Sequence, residues 1–99
     1  MDKIEVIRLI HEHSDVLMNE YGISRIGIFG SILKGTMTED SDLDIVVEFN
    51  KPIGFKFNSL VEYLEYLLGR KVDVLTKEGI KNIRVKEVAA NIERTLAYV

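Results

Sequence analysis

Two short apolar runs, residues 26–29 and 45–49, constrain the fold of this chain most, because only residues 30–44 separate them. Both runs are rich in β-branched and aromatic side chains, which predicts buried strands. A crossover between parallel strands needs a dozen or more residues and usually a full helix. The intervening segment instead begins with a short helical turn that Gly35 closes, and it continues as a polar loop. The sheet therefore cannot be purely Rossmann-like.

Helical periodicity precedes these strands. Residues 2–20 predict one amphipathic helix with Asp2 as its N-cap, and Gly22 suits the left-handed residue that ends it. Its apolar face is expected to consist of Ile4, Ile7, Ile10 and Leu17. His11 and His13 are two positions apart on this helix and point in different directions, so we expect structural or surface roles for them rather than a shared metal.

A second amphipathic helix is predicted over residues 57–68. Asn58 or Ser59 could cap it, and Gly69 ends it. Arg70 follows at the position where a helix C-terminus favours a cation.

The last third of the chain predicts a third strand at residues 71–76, a turn at 77–79, and a helix from residue 81 onward. Residues 95–99 fit either a helix end or a short edge strand. The core contacts expected of the last helix are Ile83, Val88, Ile92 and Leu96. The alternation of helices and strands predicts an α/β (α+β) fold, with a small mixed sheet flanked by helices.

Composition limits the class of protein. Ninety-nine residues suit one domain over residues 1–99, and 46% hydrophobic with 29% charged residues is ordinary for a soluble globular protein. A net charge of −3 argues against nucleic-acid binding through a basic face. No apolar run is long enough to span a membrane. Zero cysteines exclude disulfides and thiol catalysis, and they fit a cytoplasmic protein.

Three aspartates interrupt or precede apolar strands. Asp42 and Asp44 share one side of a strand mouth, where oxygen ligands could hold Mg²⁺ against phosphates. An acidic run such as residues 39–42 is more often a solvated loop, but Asp44 lies among core-type residues, where a charge needs a partner. Asp73 breaks the third strand in the same way, and it could equally belong to an outward polar face.

Gly30 and Ser31 follow the first strand and open the short helical turn. Backbone N–H groups at such a turn can bind phosphate, and the Ser31 hydroxyl could donate to it. A simple helix cap is the alternative. Lys34 could contact the phosphates or lie on the surface. No Walker loop or G-x-G-x-x-G motif is present.

The combination of Gly30-Ser31, Gly35, Asp42-Leu43-Asp44 and a later Asp73 between two valines resembles the minimal nucleotidyltransferases of the DNA polymerase β superfamily. The resemblance covers most of the chain between residues 21 and 76. It implies transfer of a nucleoside monophosphate, with AMP from ATP as the expected case, to an acceptor with release of pyrophosphate.

The same resemblance implies roles for the motif residues. Gly30, Ser31 and Lys34 would contact the triphosphate. Asp42 and Asp44 would bind two Mg²⁺ ions, and Asp73 would complete this metal site beside the acceptor. Lys34 stands where many relatives have arginine, so the bidentate grip of a guanidinium on phosphate is lost.

Many proteins of this kind resemble antitoxins that act on a HEPN-domain ribonuclease by attaching AMP to one of its tyrosines. A chain of this length leaves little room for an acceptor pocket. We therefore expect another polypeptide to supply the acceptor. Two alternatives stay open. One is an antitoxin or accessory subunit that acts by binding alone, and the other is the nucleotide-binding subunit of a small-molecule, aminoglycoside-type nucleotidyltransferase.

Overall fold

In the computed structural model, which describes residues 2–83 and 86–99, the chain alternates helices with strands. The helices are α1 (Lys3–Glu12), α2 (Ser14–Asn19), α3 (Ser31–Lys34), α4 (Lys56–Leu68), α5 (Lys77–Lys81) and α6 (Lys86–Thr95). The strands are β1 (Ile23–Phe29), β2 (Leu43–Phe49), β3 (Val72–Thr76) and β4 (Ala97–Tyr98). Within the described residues, no helix is long and apolar enough to cross a membrane.

The strands form one mixed sheet in the order β3-β2-β1-β4. β1 pairs antiparallel with both β2 and β4, whereas β2 pairs parallel with β3. The short β1–β2 connection permits only the antiparallel arrangement, and α4 supplies the longer crossover between the parallel strands. The predicted small mixed sheet flanked by helices is confirmed.

The two sides of β2 contribute to two separate apolar clusters. Leu43, Ile45 and Val47 pack with α1, α2 and α4 through side chains that include Val6, Ile10, Leu17, Leu60, Leu64 and Leu68. Val46, on the opposite side, packs with Phe29 of β1 and Ile80 of α5. Helices thus cover both faces of the sheet, which explains why β2 reads as a nearly continuous apolar run.

The first predicted helix is wrong as one element, because it breaks at His13. The His13 imidazole donates from Nδ1 to the carbonyl oxygen of Leu9 at 2.9 Å, in place of the backbone N–H that a continuous helix would use. Asp2 caps the helix start as predicted, accepting from the Glu5 N–H at 2.9 Å. Ile4 is 74% exposed and does not belong to the core.

The bounds of two further elements also differ from their predictions. Helix α4 begins before Asn58 and Ser59, so neither caps it, while Gly69 ends it in the left-handed conformation as predicted. The predicted turn at residues 77–79 is wrong, because Thr76 accepts a hydrogen bond from the Gly79 N–H at 2.9 Å and thereby starts α5.

The C-terminal segment differs in part from its prediction. Ile83, Ile92 and Leu96 pack against the second apolar cluster, but Val88 is 49% exposed and is not a core residue. Residues 97–98 form the edge strand β4, which settles the alternative left open for residues 95–99. The predicted start of the last helix at residue 81 is wrong, because Lys81 ends α5 and α6 begins at Lys86. Residues 84–85, which the prediction also included, lie outside the described residues.

Replacement of Leu64 by alanine tests the packing of α4 on the sheet. Leu64 is fully buried, so Leu64→Ala should lower the free energy of unfolding by about 2–5 kcal/mol through lost burial and a residual cavity. Tyr66 lies on the same helix and is 87% exposed, so Tyr66→Ala should change it by less than about 0.5 kcal/mol. Urea denaturation measures both, and equal losses would contradict this packing.

Candidate active site

The register of the sheet aligns Phe29, Asp44 and Asp73 across three neighbouring strands. Asp44 pairs with the last residue of β1 on one side and with Asp73 of β3 on the other. Neighbouring strands lie about 4.8 Å apart, and in-register residues of parallel strands present their side chains on the same face. The structure therefore brings Asp44 and Asp73 together at one end of the sheet.

The three aspartates differ in their exposure. Asp44 is half-buried, whereas Asp42 just before β2 and Asp73 on the edge strand β3 are exposed. Burial raises the pKa of Asp44 above its ordinary value, and the negative charges of Asp73 and Asp42 raise it further. Each of these effects opposes the ionised carboxylate. A bound cation would relieve this repulsion.

The turn that follows β1 packs directly on Asp44. Gly30 has φ 76° and ψ −142°, a backbone conformation that is essentially restricted to glycine. A Cβ atom at this position would collide with Oδ2 of Asp44. The lack of a side chain at Gly30 is thus what allows the turn and the carboxylate to adjoin.

Ser31 and Lys34 occupy the two ends of α3. Ser31 is half-buried beside the Gly30 turn, and Lys34 is exposed at the last helical position, before Gly35 ends the helix in the left-handed conformation. Ser31 therefore shares the end of the sheet that carries the aspartates. Because Lys34 is exposed, its side chain is accessible to a ligand or to solvent.

The donors at this site fit Mg²⁺ in chemistry. Carboxylate oxygens are the ligands that Mg²⁺ prefers, and one or two of them normally act together with substrate phosphates and water. Over residues 2–83 and 86–99, no three His, Cys, Asp or Glu side chains are already arranged as a metal-binding set.

Sequence reasoning gave Arg70 no part in the site and placed it only at a helix end. In the structure its guanidinium reaches the loop before Asp42 and donates to the carbonyl oxygens of Thr38 and Ser41, each at 2.7 Å. No local pattern of the sequence signals this reach, because about thirty residues separate Arg70 from the loop.

An open cleft of about 590 Å³ lies at the opposite end of β2 and β3. Its charged lining residues are Glu48, Lys51, Lys77, Glu78 and Lys81. Glu48 faces two cations, Arg25 at 3.6 Å and Lys77 at 3.7 Å. Because these cations already neutralise the half-buried Glu48, the aspartate end of the sheet is the better candidate for metal-dependent chemistry.

A family model of the nucleotidyltransferase domain matches residues 10–98. The chain belongs to the nucleotidyltransferase family. A relative from Methanocaldococcus jannaschii, provisionally named a protein adenylyltransferase, is 42% identical over 96% of this chain and 95% of its own length. Protein adenylyltransferase MntA of Thermococcus cleftensis is 38% identical over 96% of this chain and 93% of its own length.

Solved structures agree with this family assignment. One, described provisionally as a minimal nucleotidyltransferase, is 31% identical, with a TM-score of 0.73 over 98% of this chain and 95% of that one. A chain from a toxin–antitoxin crystal structure with AMP-PNP shares the fold at a TM-score of 0.65 and 19% identity, over 99% of this chain and 72% of that one. Nucleotidyl transfer is thus the activity of this chain.

Substitution of Gly30 tests whether the nucleotidyltransferase needs the contact between its turn and Asp44. Gly30→Ala should destabilise the fold by about 1–3 kcal/mol, because a methyl group collides with the carboxylate in a strained backbone conformation. Gly54 has φ 52° and open space around its Cβ position, so Gly54→Ala controls for backbone strain alone. Equal thermal shifts for the two variants would contradict the contact.

Substitution of Asp44 tests the electrostatic cost of the site. The folded state raises the pKa of Asp44, so the folded protein binds this proton more tightly than the unfolded chain does. Stability is therefore lost as the pH rises from the unfolded pKa, about 3.9, to the folded value, and the loss persists above it. Without metal at pH about 7, Asp44→Asn should raise Tm by roughly 1–4 °C, since solvent screening keeps the gain small.

Melting curves with a chelator at pH about 7 and about 3.5 check this sign, and the gain should shrink at the lower pH. Asp40→Asn makes the same chemical change at an exposed position of the neighbouring loop and should leave Tm nearly unchanged. A lower Tm for Asp44→Asn at neutral pH would refute an electrostatic cost at this carboxylate.

Proposed function

We propose that this nucleotidyltransferase moves AMP from ATP to a hydroxyl group of a partner protein, with Mg²⁺ as its cofactor. The observation that carries the proposal is the alignment of Asp44 with Asp73 at the strand ends, with the Gly30 turn packed on Asp44. This arrangement provides acidic metal ligands beside a turn that can receive phosphates. Relatives 38–42% identical over 96% of this chain bear the name protein adenylyltransferase, which supports a protein as the acceptor.

In the proposed reaction, the hydroxyl oxygen of the acceptor attacks the α-phosphorus of ATP. The bond between that phosphorus and the pyrophosphate breaks, pyrophosphate leaves with the bonding electron pair, and the hydroxyl proton passes to Asp73. Asp42 and Asp44 would hold one or two Mg²⁺ ions, which supply positive charge that stabilises the negative charge developing on the phosphates. Gly30 and Ser31 would bind the triphosphate from the other side, with Lys34 adding a positive charge.

The position of Asp73 suits an acceptor that belongs to another polypeptide. β3 is an edge strand, and the Asp73 side chain is exposed, so a hydroxyl group on a second protein can reach it from solvent. The open cleft at the other end of the sheet includes none of the three aspartates.

We further propose that the partner is a HEPN-domain ribonuclease toxin and that this chain acts in the cytoplasm as its antitoxin. Support comes from the resemblance of the motifs and from the shared fold with a chain of a toxin–antitoxin structure. An antitoxin that acts by binding alone is the second candidate.

The test combines the protein with ATP, Mg²⁺ and the product of the adjacent gene, and uses mass spectrometry to detect an AMP adduct on a partner tyrosine. Asp42→Asn and Asp73→Asn should each slow adduct formation by about 100-fold or more, because each loses a metal ligand or the proton acceptor. Asp40→Asn, which removes an exposed acid two residues before Asp42, should retain the wild-type rate.

Two results would contradict catalysis on the partner. One is a tight complex of the two proteins with no adduct, which would favour the binding antitoxin. The other is an adduct that forms equally fast with Asp73→Asn, which would remove Asp73 from the reaction.

A further inference from the structure

Arg70 connects the end of α4 to the loop that carries Asp42. Its Nη2 atom lies 2.7 Å from the carbonyl oxygens of both Thr38 and Ser41, and 3.5 Å from that of Glu39. A hydrogen bond with a charged donor is stronger than a neutral one. One guanidinium nitrogen therefore holds several carbonyl groups of a single turn on the same side.

Thr38 and Ser41 close the turn through bonds to each other. The Ser41 N–H donates to the Thr38 carbonyl oxygen at 3.1 Å, the Thr38 N–H donates to the Ser41 hydroxyl oxygen at 3.1 Å, and the two hydroxyl groups bond at 3.1 Å. Residues 38–40 are exposed, so apolar packing does little to hold them. These bonds close the turn on itself, whereas Arg70 attaches it to the end of α4.

Asp42 lies between two residues that the same short segment fixes. On one side, Ser41 accepts from Arg70. On the other side, the Leu43 N–H donates to the Lys71 carbonyl oxygen at 3.0 Å. Two consecutive residues, at positions 70 and 71, thus determine where the backbone of Asp42 runs. The same segment continues directly into β3 and Asp73, so it also sets the distance between the loop and the second strand.

Arg70 is itself held in place by its surroundings. Gly69 adopts φ 68° and donates its N–H to the Glu65 carbonyl oxygen at 2.9 Å, while the Glu65 carboxylate accepts from the Val72 N–H at 3.2 Å. The Nε atom of Arg70 is buried and has no hydrogen-bond partner among the described residues. An unpaired buried donor costs stability, so the hydrogen bonds to the loop must offset it.

We propose that Arg70 is a positioning residue, which orders the loop before Asp42 so that a metal–nucleotide complex binds to carboxylates that are already in place. An ordered loop removes the entropy cost that metal binding would otherwise bear. The inference rests on the proposed role of Asp42 as a metal ligand. Arg70 itself would contact no substrate.

The direction in which cation affinity changes when Arg70 is removed distinguishes a positioning role from a purely electrostatic one. Arg70 carries a positive charge near three acids, so its removal should strengthen cation binding if long-range electrostatics were its only effect. Positioning predicts the opposite, because a disordered loop weakens binding. Lys71→Met is the matched control, since it removes one positive charge at the next, exposed position and leaves the backbone carbonyl that bonds to Leu43.

The experiment measures Mn²⁺ binding by water-proton relaxation in the presence of a non-hydrolysable ATP analogue, with amide hydrogen exchange on the same samples. Arg70→Met should weaken Mn²⁺ binding about tenfold and speed exchange of the Ser41 amide by a similar factor, with β1 amides unchanged. Arg70→Lys keeps the charge without the planar guanidinium, so it should fall between wild type and Arg70→Met. Lys71→Met should bind Mn²⁺ as tightly as wild type or slightly more tightly.

Unchanged or tighter Mn²⁺ binding by Arg70→Met overturns the proposal, as does unchanged exchange at Ser41. If Arg70→Met does not fold, Arg70→Lys decides by the same criteria. Neither readout requires transfer to a partner. A missing AMP adduct in the transfer assay would therefore count against the proposed function, while the Mn²⁺ and exchange results would still test Arg70.

Discussion

The structure depends most on one contact, in which the Gly30 turn packs against the half-buried carboxylate of Asp44. A carboxylate at the end of a covered sheet is unfavourable by itself, and Asp73 on the next strand makes it more so. The fold tolerates this cost at a single corner while apolar side chains fill the rest of both faces. A cation bound beside these carboxylates would relieve the repulsion between them.

The strand register brings the residues at this end of the sheet together from distant parts of the chain. Phe29, Asp44 and Asp73 are neighbours only because β2 pairs antiparallel with β1 and parallel with β3. Each pairing has a local cause, namely the short connection after β1 and the α4 crossover before β3. Beyond the acids, α5 covers the same face through Ile80. Apolar side chains thus cover the middle of this face, and the acids lie at one end of it.

The sequence predicted the strands and the mixed sheet well, because their apolar runs and the length of the β1–β2 connection are local signals. It also singled out three acids, of which the structure places Asp44 beside Asp73, and their role as metal ligands stays a prediction. The break at His13 was missed because a side-chain bond to the Leu9 carbonyl leaves periodicity intact. The reach of Arg70 to residues 38–41 was missed because it spans about thirty residues of sequence, which no local pattern encodes.

The most direct test is a crystal structure with Mn²⁺ and a non-hydrolysable ATP analogue, in which anomalous scattering locates the metal. We expect Mn²⁺ to bind carboxylate oxygens of Asp44 and of at least one of Asp42 and Asp73. The triphosphate should lie against Gly30 and Ser31. A triphosphate in the cleft lined by Lys51, Lys77 and Lys81, with no Mn²⁺ at Asp44, would contradict it.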